Sequence, residues 1–243
     1  MTISGRFDAA LEDVAEPGLA GPELLPVRLA RAVARTLRVD GAGLSLVDAA
    51  QQRMPLGGNS ETAETAERLQ FTVGAGPCMT AQATRQPVFA VEPDLRSRWP
   101  MFAELLFRAT PYRAIVALPL QPALAGGGAI ELYFTASEDV PGLDVFDAMA
   151  VGELVSSALS DAAVWSTWSP AEGPEWLRGP APQRRAAVWE AMAKVSVDLQ
   201  VTVAAALDLL RAWAYGTGSS VDDVAVQVLS GSLCAGDLQS ATD

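Results

Sequence analysis

The 243-residue sequence contains no histidine and only two cysteines, Cys78 and Cys234. Without histidine, the chain cannot form His-ligated haem or zinc sites, Ser-His-Asp or Cys-His nucleophiles, or a phosphohistidine relay. Two cysteines so far apart give no disulfide framework and suit a reducing compartment. We therefore expect a protein that is not an enzyme and that uses no metal and no cofactor.

Long apolar runs and positive charge are also scarce. No segment approaches the roughly 20 apolar residues that a bilayer span requires, and residues 1–17 lack the apolar centre of a signal peptide. These features favour a cytoplasmic protein that does not bind membranes. The 17 Lys and Arg residues are outnumbered by 29 Asp and Glu, and the net charge of -12 works against attraction to a polyanion.

Half of the residues are nevertheless hydrophobic, which is enough for two domain cores in a chain of this length. The hydrophobic spacing predicts a first unit made of helices, short strands and one clear hairpin. Helices are predicted over 22–40, 94–109 and 141–166, short strands at 41–48, 54–57 and 87–91, and a hairpin of 114–120 with 129–134. This order predicts an α+β fold with an antiparallel sheet flanked by helices.

The second strand of that hairpin alternates in polarity. Ile130 and Leu132 are assigned to the core, whereas Glu131 and Tyr133 are assigned to a freer face of the sheet. Cys78 follows a Gly-Pro turn, and with no activating cation near it in sequence we interpret it as a small buried hydrophobe.

Residues 169–183 are rich in proline and glycine and predict a linker, which Trp165, Trp168 and Trp176 are expected to fasten to one of the domains. After it the spacing predicts three helices. The first begins near Arg184, the second is capped by Thr202, and the third is capped by Ser220.

The last 60 residues contain an ordered set of spaced positions. In order these are Arg185, Ala191, Ala193, Thr202, Ala206-Leu207, Leu209-Leu210-Arg211 and Val224-Ala225. This set resembles the ANTAR domain and is more specific than a generic three-helix pattern. Residues 22–166 resemble a GAF domain, with the segment Gly74-Ala75-Gly76-Pro77-Cys78 and the strand 114–120 as the best local matches.

The two resemblances divide the chain into five parts. They are an N-terminal tail (1–21), a GAF-like sensor domain (22–168), a proline-rich linker (169–183), an all-α, three-helix ANTAR-like RNA-binding domain (184–232) and an acidic tail (233–243). The resemblance implies a cytoplasmic regulator that binds paired hairpins in nascent transcripts and controls transcription antitermination. It also implies a homodimer, for which the helix 141–166 is the candidate contact, and a possible unknown small ligand in the GAF-like domain.

Four cations of the C-terminal domain are the candidate RNA contacts: Arg184, Arg185, Lys194 and Arg211. The alternative interpretation is that Arg185 faces solvent and that Arg211 pairs with Asp208. Residues 181–243 hold only these four cations against seven acids, a net charge of -3. In addition, Met192 and Ala193 stand where the family commonly has lysine and glycine. The alternative function is therefore a sensor or protein-interaction module whose RNA-binding surface has decayed.

Overall fold

A computed structural model describes residues 2–47, 53–124, 126–165 and 173–240. The N-terminal unit, residues 2–165, is built on one five-stranded sheet of order β2-β1-β5-β4-β3, in which every neighbouring pair is antiparallel. Its strands are β1 (Gly41–Val47), β2 (Arg53–Gly58), β3 (Val88–Ala90), β4 (Ala114–Leu124) and β5 (Gly126–Phe134). The predicted antiparallel sheet and its central hairpin are confirmed.

Seven helices of this unit lie on the two faces of the sheet. They are α1 (Ile3–Asp13), α2 (Leu25–Leu37), α3 (Glu61–Val73), α4 (Pro77–Thr84), α5 (Glu92–Arg98), α6 (Pro100–Ala109) and α7 (Val145–Trp165). α1, α2 and α7 form a core with one face, and α3 to α6 form a second core with the other. None of the helices in the described part of the chain is long and apolar enough to cross a membrane.

Residues 3–13 form a helix, so the prediction of an N-terminal tail over 1–21 is wrong. Thr2 caps the start of α1: its Oγ1 accepts a hydrogen bond from the amide of Gly5 at 3.2 Å. Phe7 and Ala10 are buried against α2 and α7. These apolar side chains recur at helical spacing within a polar segment, and the mean polarity of the segment conceals them.

The second face of β5 is not free, contrary to the prediction. Glu131 and Tyr133 are 1% and 0% exposed, because α3 to α6 cover the face that the alternation assigned to a freer environment. Strand alternation tells which side chains share a face, but it does not tell whether helices cover that face.

Two helix boundaries also differ from the prediction. The helix predicted over 94–109 is divided into α5 and α6 at Trp99, whose backbone leaves the helical region (φ -138°, ψ 63°) because Pro100 follows it. α7 begins at Val145, four residues after the predicted start. Its first amides, those of Phe146 and Asp147, donate to Oδ1 of Asp144 at 2.9 and 3.1 Å.

The C-terminal unit, residues 180–240, contains four helices in the described region. They are α8 (Pro180–Leu199), α9 (Val203–Thr217), α10 (Val221–Ser230) and α11 (Ala235–Ser240). Thr202 and Ser220 cap α9 and α10, as predicted, and accept from backbone amides at 3.1 Å each. α8 begins one turn before Arg184, because proline is tolerated in the first turn of a helix.

The segment 233–243, predicted as an acidic tail, contains α11, which is part of the folded unit. Leu233 and Leu238 are buried in the core that α8, α9 and α10 share. The predicted linker also contains structure: Trp176 lies in a short 3-10 turn and packs into the core of the N-terminal unit, as expected. Trp168 and the side chain of Trp165 lie outside what the structure describes.

Candidate functional site

Five charged side chains are buried together where the sheet, α3 and the C-terminal helices meet. They are Arg53 on β2, Glu67 on α3, Glu131 on β5, Arg185 on α8 and Asp222 on α10, and each is at most 5% exposed. We refer to these five residues as the buried charge cluster. Charged side chains are rarely buried to this degree unless they are paired, so the pairing defines the site.

Arg53 anchors the part of the cluster that belongs to the N-terminal unit. Its Nη2 is 2.8 Å from Oε2 of Glu131, and its Nε is 3.9 Å from Oε1 of Glu67. Gln70 on α3 donates to Oε1 of Glu131 and accepts from the amide of Cys78 at 2.9 Å. Sheet, α3 and α4 are thus joined by one hydrogen-bonded network.

Arg185 joins the C-terminal unit to that network and is completely buried. Its Nη2 donates to both carboxylate oxygens of Glu67, at 3.1 and 3.3 Å, and its Nε donates to Asp222 at 3.3 Å. Its Nη1 donates to the carbonyl oxygen of Arg53 at 3.2 Å. The guanidinium carbon also lies 3.4 Å from the centre of the Phe71 ring, a cation–π contact. The interpretation that Arg185 faces solvent is therefore wrong.

The charges of the cluster do not balance. Two arginines face three carboxylates, and burial raises the pKa of Asp222 above its ordinary value of 3.8, an effect that Arg185 opposes. Three buried polar atoms at the cluster have no hydrogen-bond partner among the described residues: Oδ2 of Asp222, Nη1 of Arg53 and the hydroxyl of Tyr133. Burying a polar atom without a partner costs free energy, so the cluster is less stable than its number of contacts suggests.

Arg184 and Arg211 also contact α3. Arg184 forms an ion pair with Glu64. Nε of Arg211 donates to the carbonyl oxygen of Phe71 at 3.2 Å, near the C-terminal end of α3, where a cation complements the helix dipole. Partial burial lowers the pKa of Arg211, and Asp208 opposes this effect.

Lys194 lies on a different side of α8. It is about half exposed and pairs with Asp198 at 2.7 Å, one turn further along the same helix. Of the four candidate cations, Arg184, Arg185 and Arg211 therefore contact α3, whereas Lys194 extends into solvent. Met192 is buried in the core of the C-terminal unit.

α3 is not among the helices predicted from the sequence, although its side chains contact α8, α9 and α10. The start of this helix lies in a polar stretch, residues 59–68, over which no helix was predicted. Two local signals were available: Ser60, whose Oγ accepts from the amide of Ala63, and the acidic residues Glu61 and Glu64 in the first turn. The partners of Glu67 could not have been found in this way, because they lie on distant elements.

A groove of about 340 Å³ opens beside the cluster on the N-terminal unit and is of the size that small ligands occupy. Its described lining consists of Val47, Arg53, Met79, Gln82, Ala83, Arg85 and Gly127. Arg53 therefore belongs both to the groove and to the buried charge cluster. Two cations and no acid are found among the described lining residues, which favours an anionic occupant over a cationic one.

No protein-family model matches the chain, and no curated protein matches it. Among solved structures it is similar to the GAF domain of a phosphoenolpyruvate-protein phosphotransferase from Coxiella burnetii, with 11% identity and a TM-score of 0.45 over 67% of this chain and 95% of that one. The GAF domain of the Acinetobacter phosphoenolpyruvate-protein phosphotransferase gives 12% identity and a TM-score of 0.46, over 68% and 97%. A GAF domain/HD domain protein from Geobacter sulfurreducens gives 13% and 0.44, over 61% and 99%.

Proposed function

We propose that this protein is a cytoplasmic, signal-responsive regulator that binds RNA hairpins in nascent transcripts and controls transcription antitermination. The observation that carries the proposal is the ordered set of positions resembling the ANTAR domain. These positions lie on α8, α9 and α10, and the expected capping residues Thr202 and Ser220 stand at the helix starts. We infer that the protein performs no catalysis, since it has no histidine with which to activate a nucleophile.

In this proposal the N-terminal unit acts as a GAF-like sensor and α7 mediates homodimerisation. The groove beside Arg53 offers a place for a small ligand. α7 carries exposed apolar side chains, Phe146 at 86% exposure and Met149 at 49%, which a second copy of the chain would cover. Two RNA-binding units in one dimer would bind paired hairpins with an increased effective concentration.

The test is the binding of the purified full-length protein to an RNA with two tandem hairpins, measured at low and moderate salt. We expect binding that weakens as salt rises. Lys194→Gln changes a cation that does not contact α3, and it should weaken binding and reduce the salt slope by about one, the effect of losing one phosphate contact. Arg96→Gln removes an exposed cation from the N-terminal unit and should leave binding unchanged.

A second function, that of a sensor or protein-interaction module without RNA binding, is favoured by one observation. Arg185 is completely buried and is held by acids, and the C-terminal residues 181–243 carry a net charge of -3. If the folded protein shows no salt-sensitive binding to the hairpins, even when the contact between α3 and α8 is weakened by mutation, this second function replaces the first.

A further inference from the structure

Three of the four proposed RNA contacts are occupied by α3 in this structure. Glu67 binds the guanidinium of Arg185 with both oxygens, Glu64 binds Arg184, and the carbonyl oxygen of Phe71 accepts from Arg211. The acceptors on α3 are two carboxylates and a carbonyl, and a carboxylate, like the phosphate of an RNA backbone, offers anionic oxygens to a guanidinium. No phosphate can reach Arg185 while α3 stays in place.

The contact between α3 and the C-terminal unit continues beyond these cations. The ring of Phe71 lies in the core of the C-terminal unit and meets Trp189 edge-on, with 5.7 Å between ring centres. Oγ1 of Thr72 accepts from the amide of Val221, the first residue of α10, at 3.0 Å. α3 therefore contacts α8, α9 and α10 together, as one continuous docking helix.

Two features of the docked arrangement lower the free-energy cost of separating α3 from α8. Glu67 and Arg185 both lose their hydration, and the desolvation of a buried ion pair offsets much of its Coulomb attraction. The third carboxylate, Asp222, stays with Arg185 on the C-terminal unit and would remain its partner after release. Separation of α3 from α8 would therefore rehydrate Glu67 without leaving Arg185 unpaired.

We propose that α3 of the N-terminal unit and RNA compete for the same arginine surface, so that α3 holds the C-terminal unit in a closed, RNA-excluding state. This inference rests on the proposed function and specifies its regulation. Glu67 is the central residue of the closed state, because it is the acid of the N-terminal unit that binds Arg185 directly. A signal that weakens the contact of α3 raises the population that can bind RNA.

The experiment compares the full-length wild-type protein with Glu67→Gln, an isosteric change that removes the charge. We expect Glu67→Gln to bind the tandem hairpins about tenfold more tightly or better, because the apparent affinity rises with the fraction of open protein. Hydrogen exchange at the backbone amides of α8 should become faster in the absence of RNA. Glu92→Gln is the charge-matched control on α5 and should change neither quantity.

The two proposals fail in distinguishable ways. If wild type and Glu67→Gln bind RNA equally well, the competition is overturned while RNA binding stands. If neither protein binds, the proposed function is overturned and the competition with it.

If Glu67→Gln does not fold, as judged by circular dichroism, Phe71→Leu replaces it, since this variant weakens the docking of α3 without altering charge. Unchanged RNA affinity in folded Phe71→Leu with faster exchange in α8 would also overturn the competition.

Discussion

The surroundings of Cys78 show what burial does to a single residue. In the sequence no cation stands near this thiol, but the fold places the guanidinium of Arg53 within its electrostatic reach. Burial raises the pKa of the Cys78 thiol, and the opposing effect of Arg53 does not overcome it. Sγ also lies 3.6 Å from Oγ of Ser45, inside the hydrogen-bonded network. The prediction that Cys78 is buried is therefore confirmed.

The two cysteines should therefore differ in the reactivity of their thiols. In the native protein at pH 7.5 we expect one thiol, that of the exposed Cys234, to react rapidly with a disulfide reagent. Cys78 should react only after unfolding, because its thiol is protonated and inaccessible. The native Cys234→Ser protein should then show no fast reaction. A fast-reacting thiol in that variant would contradict the burial of Cys78.

At the scale of secondary structure, helix ends were easier to predict than helix partners. Thr202 and Ser220 act on amides three residues away, and their capping role depends on the local chain alone. α3 was overlooked because its buried side includes Glu67, Gln70 and Thr72, whose polarity hides the apolar stripe. Hydrophobic periodicity does not detect a helix that buries polar side chains against charged partners.

Removing the cap of α9 measures how much one local hydrogen bond contributes to the free energy of unfolding. Thr202→Ala should lower the free energy of unfolding by about 1 kcal/mol, because the amide of Ala205 loses its acceptor. Thr202→Ser keeps the oxygen and should retain most of the stability. Urea denaturation followed by circular dichroism measures both changes. Equal stability of the alanine and serine variants would show that the cap contributes nothing.

At the scale of the whole molecule, the two units share side chains. Phe71 belongs to α3 of the N-terminal unit but is buried in the core of the C-terminal unit, and Trp176 precedes α8 but is buried in the core of the N-terminal unit. The core of the C-terminal unit thus includes a side chain of the N-terminal unit, and the core of the N-terminal unit includes a side chain of the segment that precedes α8. The buried charge cluster links β2 and β5 to α8 and α10.

Truncation of Phe71 should accordingly affect the entire protein. We expect Phe71→Ala to lower the free energy of unfolding by about 3–5 kcal/mol, the usual cost of removing a buried aromatic side chain. Val197→Ala truncates a side chain on α8 that is 76% exposed and should lower the free energy of unfolding by less than about 0.5 kcal/mol. Chemical denaturation of both variants decides this, and similar stabilities would show that Phe71 is not a shared core residue.

The sequence by itself determined the features that depend on local spacing. The β4–β5 hairpin, the caps of α9 and α10 and the absence of histidine chemistry follow from neighbouring residues or from composition. Only the tertiary structure decided that Glu131 is buried and that Arg185 binds Glu67, 118 residues away in the chain. The physical reason is that periodicity assigns a face to a side chain, whereas the burial of a charge depends on partners that distant elements bring to it.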